Sequence, residues 1–132
     1  MKLTKNFNKI EFDSKDGAVM PTHILENIKI LAENLQILRD YLGVPISVNS
    51  GYRSNRHNSN IKGVVNSYHT KGLAADITAK GLTPKKLARA IRRLRIEGKI
   101  KKGGLGLYNG FVHYDIRGYG AKWDKSTLFN FW

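Results

Sequence analysis

Gly104-Leu105-Gly106-Leu107-Tyr108-Asn109-Gly110-Phe111-Val112-His113-Tyr114-Asp115-Ile116-Arg117 reads as two short apolar runs joined by Asn-Gly. That dipeptide between apolar runs is a strong hairpin signal, because both residues tolerate positive φ. The stretch predicts an antiparallel pair of strands at 104–108 and 111–117. Working back along the chain, Thr83-Pro84 opens a helix, with Thr as cap and Pro at the first position. Leu87, Ile91 and Leu94 give this helix its apolar stripe, and Gly98 is its expected end. Leu73-Ala74-Ala75-Asp76-Ile77-Thr78 reads as a strand. Leu73, Ala75 and Ile77 would share one face, and Ala74, Asp76 and Thr78 the other. Residues 51–66 are loop-like, and residues 45–50 alternate like a short strand. Before them, Ile24, Ile28, Leu31, Leu35, Leu38 and Leu42 recur at spacings of three and four. They mark one buried helix face, with Thr22 as candidate cap and Gly43 as stop. Residues 1–20 are irregular, with a turn at Asp16-Gly17. The order helix, strand, loop, strand, helix, hairpin predicts an α+β fold: a small, mostly antiparallel sheet flanked by helices.

The 132 residues suit one domain, 1–132, with one modest core. No stretch approaches the ~20 apolar residues needed to span a membrane. The start, Met1-Lys2-Leu3-Thr4-Lys5-Asn6-Phe7, is basic but is not followed by an apolar run, unlike a secretory signal peptide. The expectation is that the chain reaches its target by another route, or that a signal was removed ahead of this numbering. There is no cysteine, which excludes disulfides, cysteine-ligated zinc and thiol catalysis. Any metal site must use His, Asp or Glu, and the histidines are His23, His57, His69 and His113. Lys and Arg number 23 against 10 Asp and Glu, a net charge of +13. Such a chain seeks polyanions: nucleic acid, acidic lipid or the anionic polymers of a bacterial envelope.

Ser67-Tyr68-His69-Thr70-Lys71-Gly72-Leu73-Ala74-Ala75-Asp76 sets a His and an Asp seven apart. On one continuous strand an odd spacing puts them on opposite faces. Gly72 offers a turn that would let Asp76 point back toward His69. Imidazole and carboxylate are both zinc ligands at about 2.0–2.2 Å. His113 on the later hairpin is a candidate third. Three protein ligands and an open position are what a catalytic zinc needs, since a water held there drops in pKa from about 15.7 toward ~7. The bland alternative is an ordinary hydrogen-bonded His–Asp pair.

The pattern Ser67-x-His69-x-x-Gly72-x-Ala74-x-Asp76, with His113 on an aromatic-rich strand, resembles the zinc D-Ala-D-Ala peptidases. Their superfamily includes the lysostaphin-type peptidases and the hedgehog domain. Ser50-Gly51-Tyr52-Arg53-Ser54 is similar to the family's upstream Ser-Gly-Tyr-Arg element, and Phe111-Val112-His113-Tyr114-Asp115 to the final strand of one branch. The resemblance spans roughly residues 45–117. It implies a hedgehog/D-Ala-D-Ala-peptidase-like fold and a Zn2+ held by His69, Asp76 and His113. Arg53 would meet a substrate carboxylate, a natural use of a planar bidentate donor. Ser67 would hydrogen-bond near metal or substrate, or else is a simple turn residue.

Many relatives place a catalytic acid three residues before the last zinc His, and here that position is Gly110. The replacement candidate is Asp115, which shares a strand face with His113 and could carry a proton from water to the leaving amine. Its alternatives are to orient a ligand His, or to bind zinc itself with His113 as base. His57 is a further candidate for polarising the transition state, and His23 has no expected role.

Lys85, Lys86, Arg89, Arg92, Arg93, Arg95, Lys99, Lys101 and Lys102 form a dense basic run between 85 and 102. It is either a solvated helix face or a footprint on a polyanion. No helix-turn-helix, zinc finger or RNA-binding signature accompanies it, so no specific nucleic acid is expected. Tyr119, Trp123, Phe129 and Trp132 are expected partly to cover the sheet as core. With the resemblance, these features point to a monomeric zinc peptidase acting on peptidoglycan peptides, with anionic envelope polymers on the 85–102 face. D-Ala-D-Ala carboxypeptidase chemistry matches best, and an L-Ala–D-Glu endopeptidase cut is the runner-up. The setting is the bacterial cell envelope, or that of a phage endolysin held in the cytoplasm until lysis. The rivals are a non-catalytic zinc-containing module of the same fold and a basic nucleic-acid-binding protein.

Overall fold

The computed structural model describes residues 1–127. Helix α1 runs Thr22–Leu42 and strand β1 Ile46–Ser50. A short helix α2 follows at Asn55–Asn60, then β2 at Ala74–Ala79 and α3 at Pro84–Ile96. Strands β3 (Gly104–Leu107), β4 (Val112–Asp115) and β5 (Ala121–Asp124) complete the sheet. Its spatial order is β1-β2-β4-β3-β5. All neighbours are antiparallel except β3 and β5, which run parallel. The expected α+β architecture with a mostly antiparallel sheet is present.

The strand period of two splits the sheet's residues into two sets. Ala75, Ile77, Leu105, Leu107, Val112 and Tyr114 join one core with Ile28, Leu31, Leu35, Leu38, Leu87, Ile91 and Leu94 of the helices. The first segment, expected to be irregular, forms a 3-10 turn at Lys9–Phe12, and its Phe7 and Phe12 enter the same core. The intervening residues fall on the other face, where register lines up Ser50, Asp76, His113, Gly106 and Trp123 in one row across β1, β2, β4, β3 and β5. The helices fill one side of the sheet, so polar chemistry collects on the other.

Several local expectations need correction. Thr22 does not cap α1; Pro21 holds that position and Thr22 is already helical. Residues 51–66 are not all loop, since Ser54 Oγ accepts from the His57 N–H and starts α2. The 104–117 hairpin forms, and the Tyr108 N–H donates to the Phe111 carbonyl at 3.1 Å. Neither Asn109 nor Gly110 takes positive φ, however. Asn109 instead accepts from the Thr127 N–H and hydroxyl through its side chain. The parallel strand β5 was not expected at all. As expected, Thr83 caps α3 by accepting from the Lys86 N–H, and Gly43 ends α1 at φ 70°.

Gly72 is the turn that the His69–Asp76 spacing demands. Its φ is 72°, and its N–H donates to the His69 carbonyl. A Cβ there would lie 2.7 Å from Ile24 Cγ2. Left-handed backbone costs a non-glycine residue about 1–2 kcal/mol, and the contact adds to that. Gly72→Ala is therefore expected to lower stability by at least about 2 kcal/mol, read as a fall of several degrees in Tm and as weaker metal retention through a displaced His69.

Candidate metal centre

Ser67 starts a 3-10 turn at Tyr68–Lys71, its hydroxyl accepting from the His69 N–H at 3.1 Å. Gly72 closes the turn, and β2 then carries Asp76 back beneath His69. Asp76 faces His113 directly across the β2–β4 pairing. His69, Asp76 and His113 are 3%, 8% and 9% exposed. One donor atom from each lies within 4.8 Å of the others.

Each imidazole has one nitrogen already committed. His69 Nδ1 is 2.8 Å from the Gly51 carbonyl oxygen, which can only accept, so Nδ1 carries the proton. His113 Nε2 is 2.8 Å from Asp115 Oδ2, which likewise fixes a donor there. In the neutral rings, the remaining nitrogens, His69 Nε2 and His113 Nδ1, present lone pairs. They lie 3.2 and 3.1 Å from the same oxygen, Asp76 Oδ1. Three acceptors converging in a buried spot need protons or a cation between them. The set N, N, O suits zinc, and outer hydrogen bonds that fix the tautomer are what ligand histidines carry. The residues present therefore fit a zinc ion.

Asp76 is buffered electrostatically. Burial alone would push its pKa up, but His113 and His69, which donate to it only when their rings are protonated, outweigh this and hold it well below the usual carboxylate range. Its second oxygen, Oδ2, accepts from Arg53 Nη2 at 3.1 Å. Arg53 is held in turn by Ser50 Oγ at 3.0 Å and Asn58 Oδ1 at 3.3 Å. Asp115 is fully buried. It accepts from the Gly104 and Arg117 N–H groups, from Arg117 Nε and Nη2, and from His113. Burial raises its pKa, but Arg117 and His113 overcome that and keep it ionised.

A cleft of about 480 Å³ opens over this group. Of the site residues expected from sequence, Arg53, Ser67, His69, Asp76 and His113 line it. Asp115 does not, and His57, on α2, does not. Sequence reading missed Tyr68, Tyr108, Phe111, Arg117 and Lys125 as lining residues, and placed Trp123 only within a group expected partly to cover the core. The Tyr68 and Tyr119 hydroxyls meet at 3.0 Å, while Phe129 and Trp132 lie outside the described residues. The one available signal was aromatic: Tyr108, Phe111 and Trp123 flank the strand that bears His113.

A small sheet backed by helices on one face and bearing a buried His-Asp-His group under a cleft on the other accords with a metallopeptidase of the kind that the sequence motifs resemble. The chain belongs to the peptidase M15 family, whose model matches residues 2–115. Over 73 residues it is 38% identical to the zinc D-Ala-D-Ala carboxypeptidase of Streptomyces albus G. That stretch is 54% of this chain and 29% of the relative's length. The family expected from the sequence motifs is the family found.

Proposed function

We propose that the protein is a zinc peptidase that hydrolyses peptidoglycan stem peptides. The observation that supports this most is the convergence of His69 Nε2, Asp76 Oδ1 and His113 Nδ1 at the floor of the cleft. His69, Asp76 and His113 hold the metal, which when bound supplies Lewis acidity toward a water and the scissile carbonyl. Arg53 fixes Asp76 Oδ2 and keeps two of its five N–H groups for an oxygen of the substrate. Ser67 shapes the turn that presents His69.

Of the roles weighed for Asp115, we favour orienting a ligand His over carrying the proton. A proton carrier must come within hydrogen-bond reach of the reacting water. Asp115 has no exposed surface, does not line the cleft and already accepts five hydrogen bonds. It is a positioning residue that holds His113 with Nδ1 toward the metal. One observation favours a second reading, a zinc-containing binding module: among the described residues, Asp76 is the only carboxylate lining the cleft. D-Ala-D-Ala carboxypeptidase chemistry accords with the relative's name, and an L-Ala–D-Glu cut is the next candidate. Digestion of purified walls, followed by mass spectrometry of the released peptides, names the bond. Stoichiometric zinc with no cleavage of any wall substrate gives the binding module.

The basic face is a separate surface. Lys86, Arg92, Lys101 and Lys102 are exposed, and Glu97, with Arg93 and Lys99 on it, is the only acid from 82 to 102. Helix α3 packs on the core side of the sheet, away from the cleft. An anionic envelope polymer bound there leaves the cleft free, in the cell envelope or after phage-induced lysis. The Debye length falls from about 10 Å at 0.1 M salt to about 3 Å at 1 M. Binding to teichoic-acid-bearing walls is expected to drop by about tenfold or more over that range, while cleavage of a short soluble peptide changes far less. Binding indifferent to salt would remove this face from the reading.

A further inference from the structure

We infer that β5 is a specificity wall of the cleft and that Lys125, at its end, takes a free carboxylate of the bound peptide. The inference rests on the peptidase reading of the cleft. The family match ends at residue 115, yet β5 and the residue after it supply Trp123 and Lys125 to the cleft. The wall is built into the site. Trp123 stands beside Gly106 in the β3–β5 register, and any Cβ on Gly106 would run into its indole. The glycine thus admits the indole, which lies 5.0 Å from the His113 ring. Its Nε1 donates to the Tyr108 hydroxyl at 2.9 Å, and Tyr108 stacks on Phe111 at 4.4 Å. A fixed aromatic surface therefore starts at the metal-facing histidine.

Charge decides what that surface reads. Among the described residues, three Arg and Lys side chains line the cleft. Arg53 is bound to Ser50, Asn58 and Asp76. Arg117 is bidentate on Asp115 and lies 4.2 Å over the Tyr68 ring. Lys125 is exposed, and its side chain makes no ion pair or hydrogen bond among the described residues. The neighbouring Asp124 is turned to Ser126, accepting from its N–H and hydroxyl. The Lys125 backbone N–H donates to the Leu107 carbonyl at 2.8 Å, which fixes where the side chain starts. A compact ammonium with no counter-charge among the described residues, beside an apolar wall, matches a peptide with an apolar body and a free carboxylate.

The test uses two wall-type peptides, one with free carboxylates and one with the same carboxyls amidated. Wild-type protein is expected to prefer the acid. Lys125→Gln should raise KM for the acid about tenfold and bring the acid-to-amide preference toward unity, and Lys125→Arg should restore it. An unchanged preference in Lys125→Gln overturns the assignment. Calorimetric binding of the same peptides to zinc-loaded protein reads the preference even if neither is cleaved. Failure of the peptidase reading is thereby distinguished from failure of this one. Gly106→Ala, which displaces Trp123, should weaken binding of both peptides together; full affinity for both would remove the wall.

Discussion

Asp76→Ala is expected to leave the protein without zinc and without hydrolytic activity. The carboxylate does three jobs at once. Its Oδ1 is the atom toward which both imidazole lone pairs point, and its Oδ2 neutralises Arg53. Buried opposite His113 on β4, it also bridges the two histidines. Alanine removes the third ligand and leaves a guanidinium, 14% exposed, unpaired beside the site. A cation there repels the metal, and two imidazoles alone are too few for a catalytic zinc. Removing one partner of a buried pair also costs about 3–5 kcal/mol, so Tm should fall as well. Atomic absorption on dialysed protein is the direct readout. Zinc retained at stoichiometric level would refute the ligand set. Tight, salt-sensitive DNA binding that survived both chelation and this substitution would instead favour the nucleic-acid reading of α3.

Much of the fold was legible because its signals are local. Apolar spacing gave α1 and α3, alternation gave β2, and Asn-Gly gave the hairpin. The missed elements depend on contacts distant in sequence. Asn55–Asn60 has no apolar stripe, and α2 forms because Ser54 caps it and Asn58 is buried between Arg53 and Val64. Ala121–Asp124 alternates, as Ala-Lys-Trp-Asp, but over only four residues next to Gly118 and Gly120, and it is extended because β3 pairs with it. The same division runs through the site. His69, Asp76 and His113 stood out by motif, and the two-residue spacing placed Asp115 on the face of His113. The Gly51 carbonyl that fixes the His69 tautomer has no signature in sequence. The burial of Asp115, which decides its role, arises from Gly104 on β3 and from Arg117 folding back beside it.

Asp115→Asn separates the two roles weighed for that residue. If Asp115 carried protons in the reaction, its loss would cut kcat by about 10²–10⁴-fold and leave metal affinity and stability nearly intact. The geometry leads to a different result. The amide keeps one acceptor oxygen and gains an NH2 group, which must face either His113 Nε2–H or the Arg117 guanidinium, both donors. Arg117 then loses its buried counter-charge. His113 then meets either a donor or a neutral amide oxygen in place of a carboxylate, so its proton is held less firmly on Nε2 and Nδ1 less firmly bare toward the metal. Zinc affinity should fall about 10–100-fold, the usual cost of removing such an outer partner. Tm should fall with it, because the buried Arg117–Asp115 pair is broken. Activity measured against zinc concentration should recover much of its lost value at saturation, since the residues that line the cleft are untouched. Arg117→Gln should lower zinc affinity in the same direction and by less, because the Gly104 N–H still holds Asp115. A variant that binds zinc as tightly as wild type, melts at the same temperature and yet does not turn over would return Asp115 to the proton path.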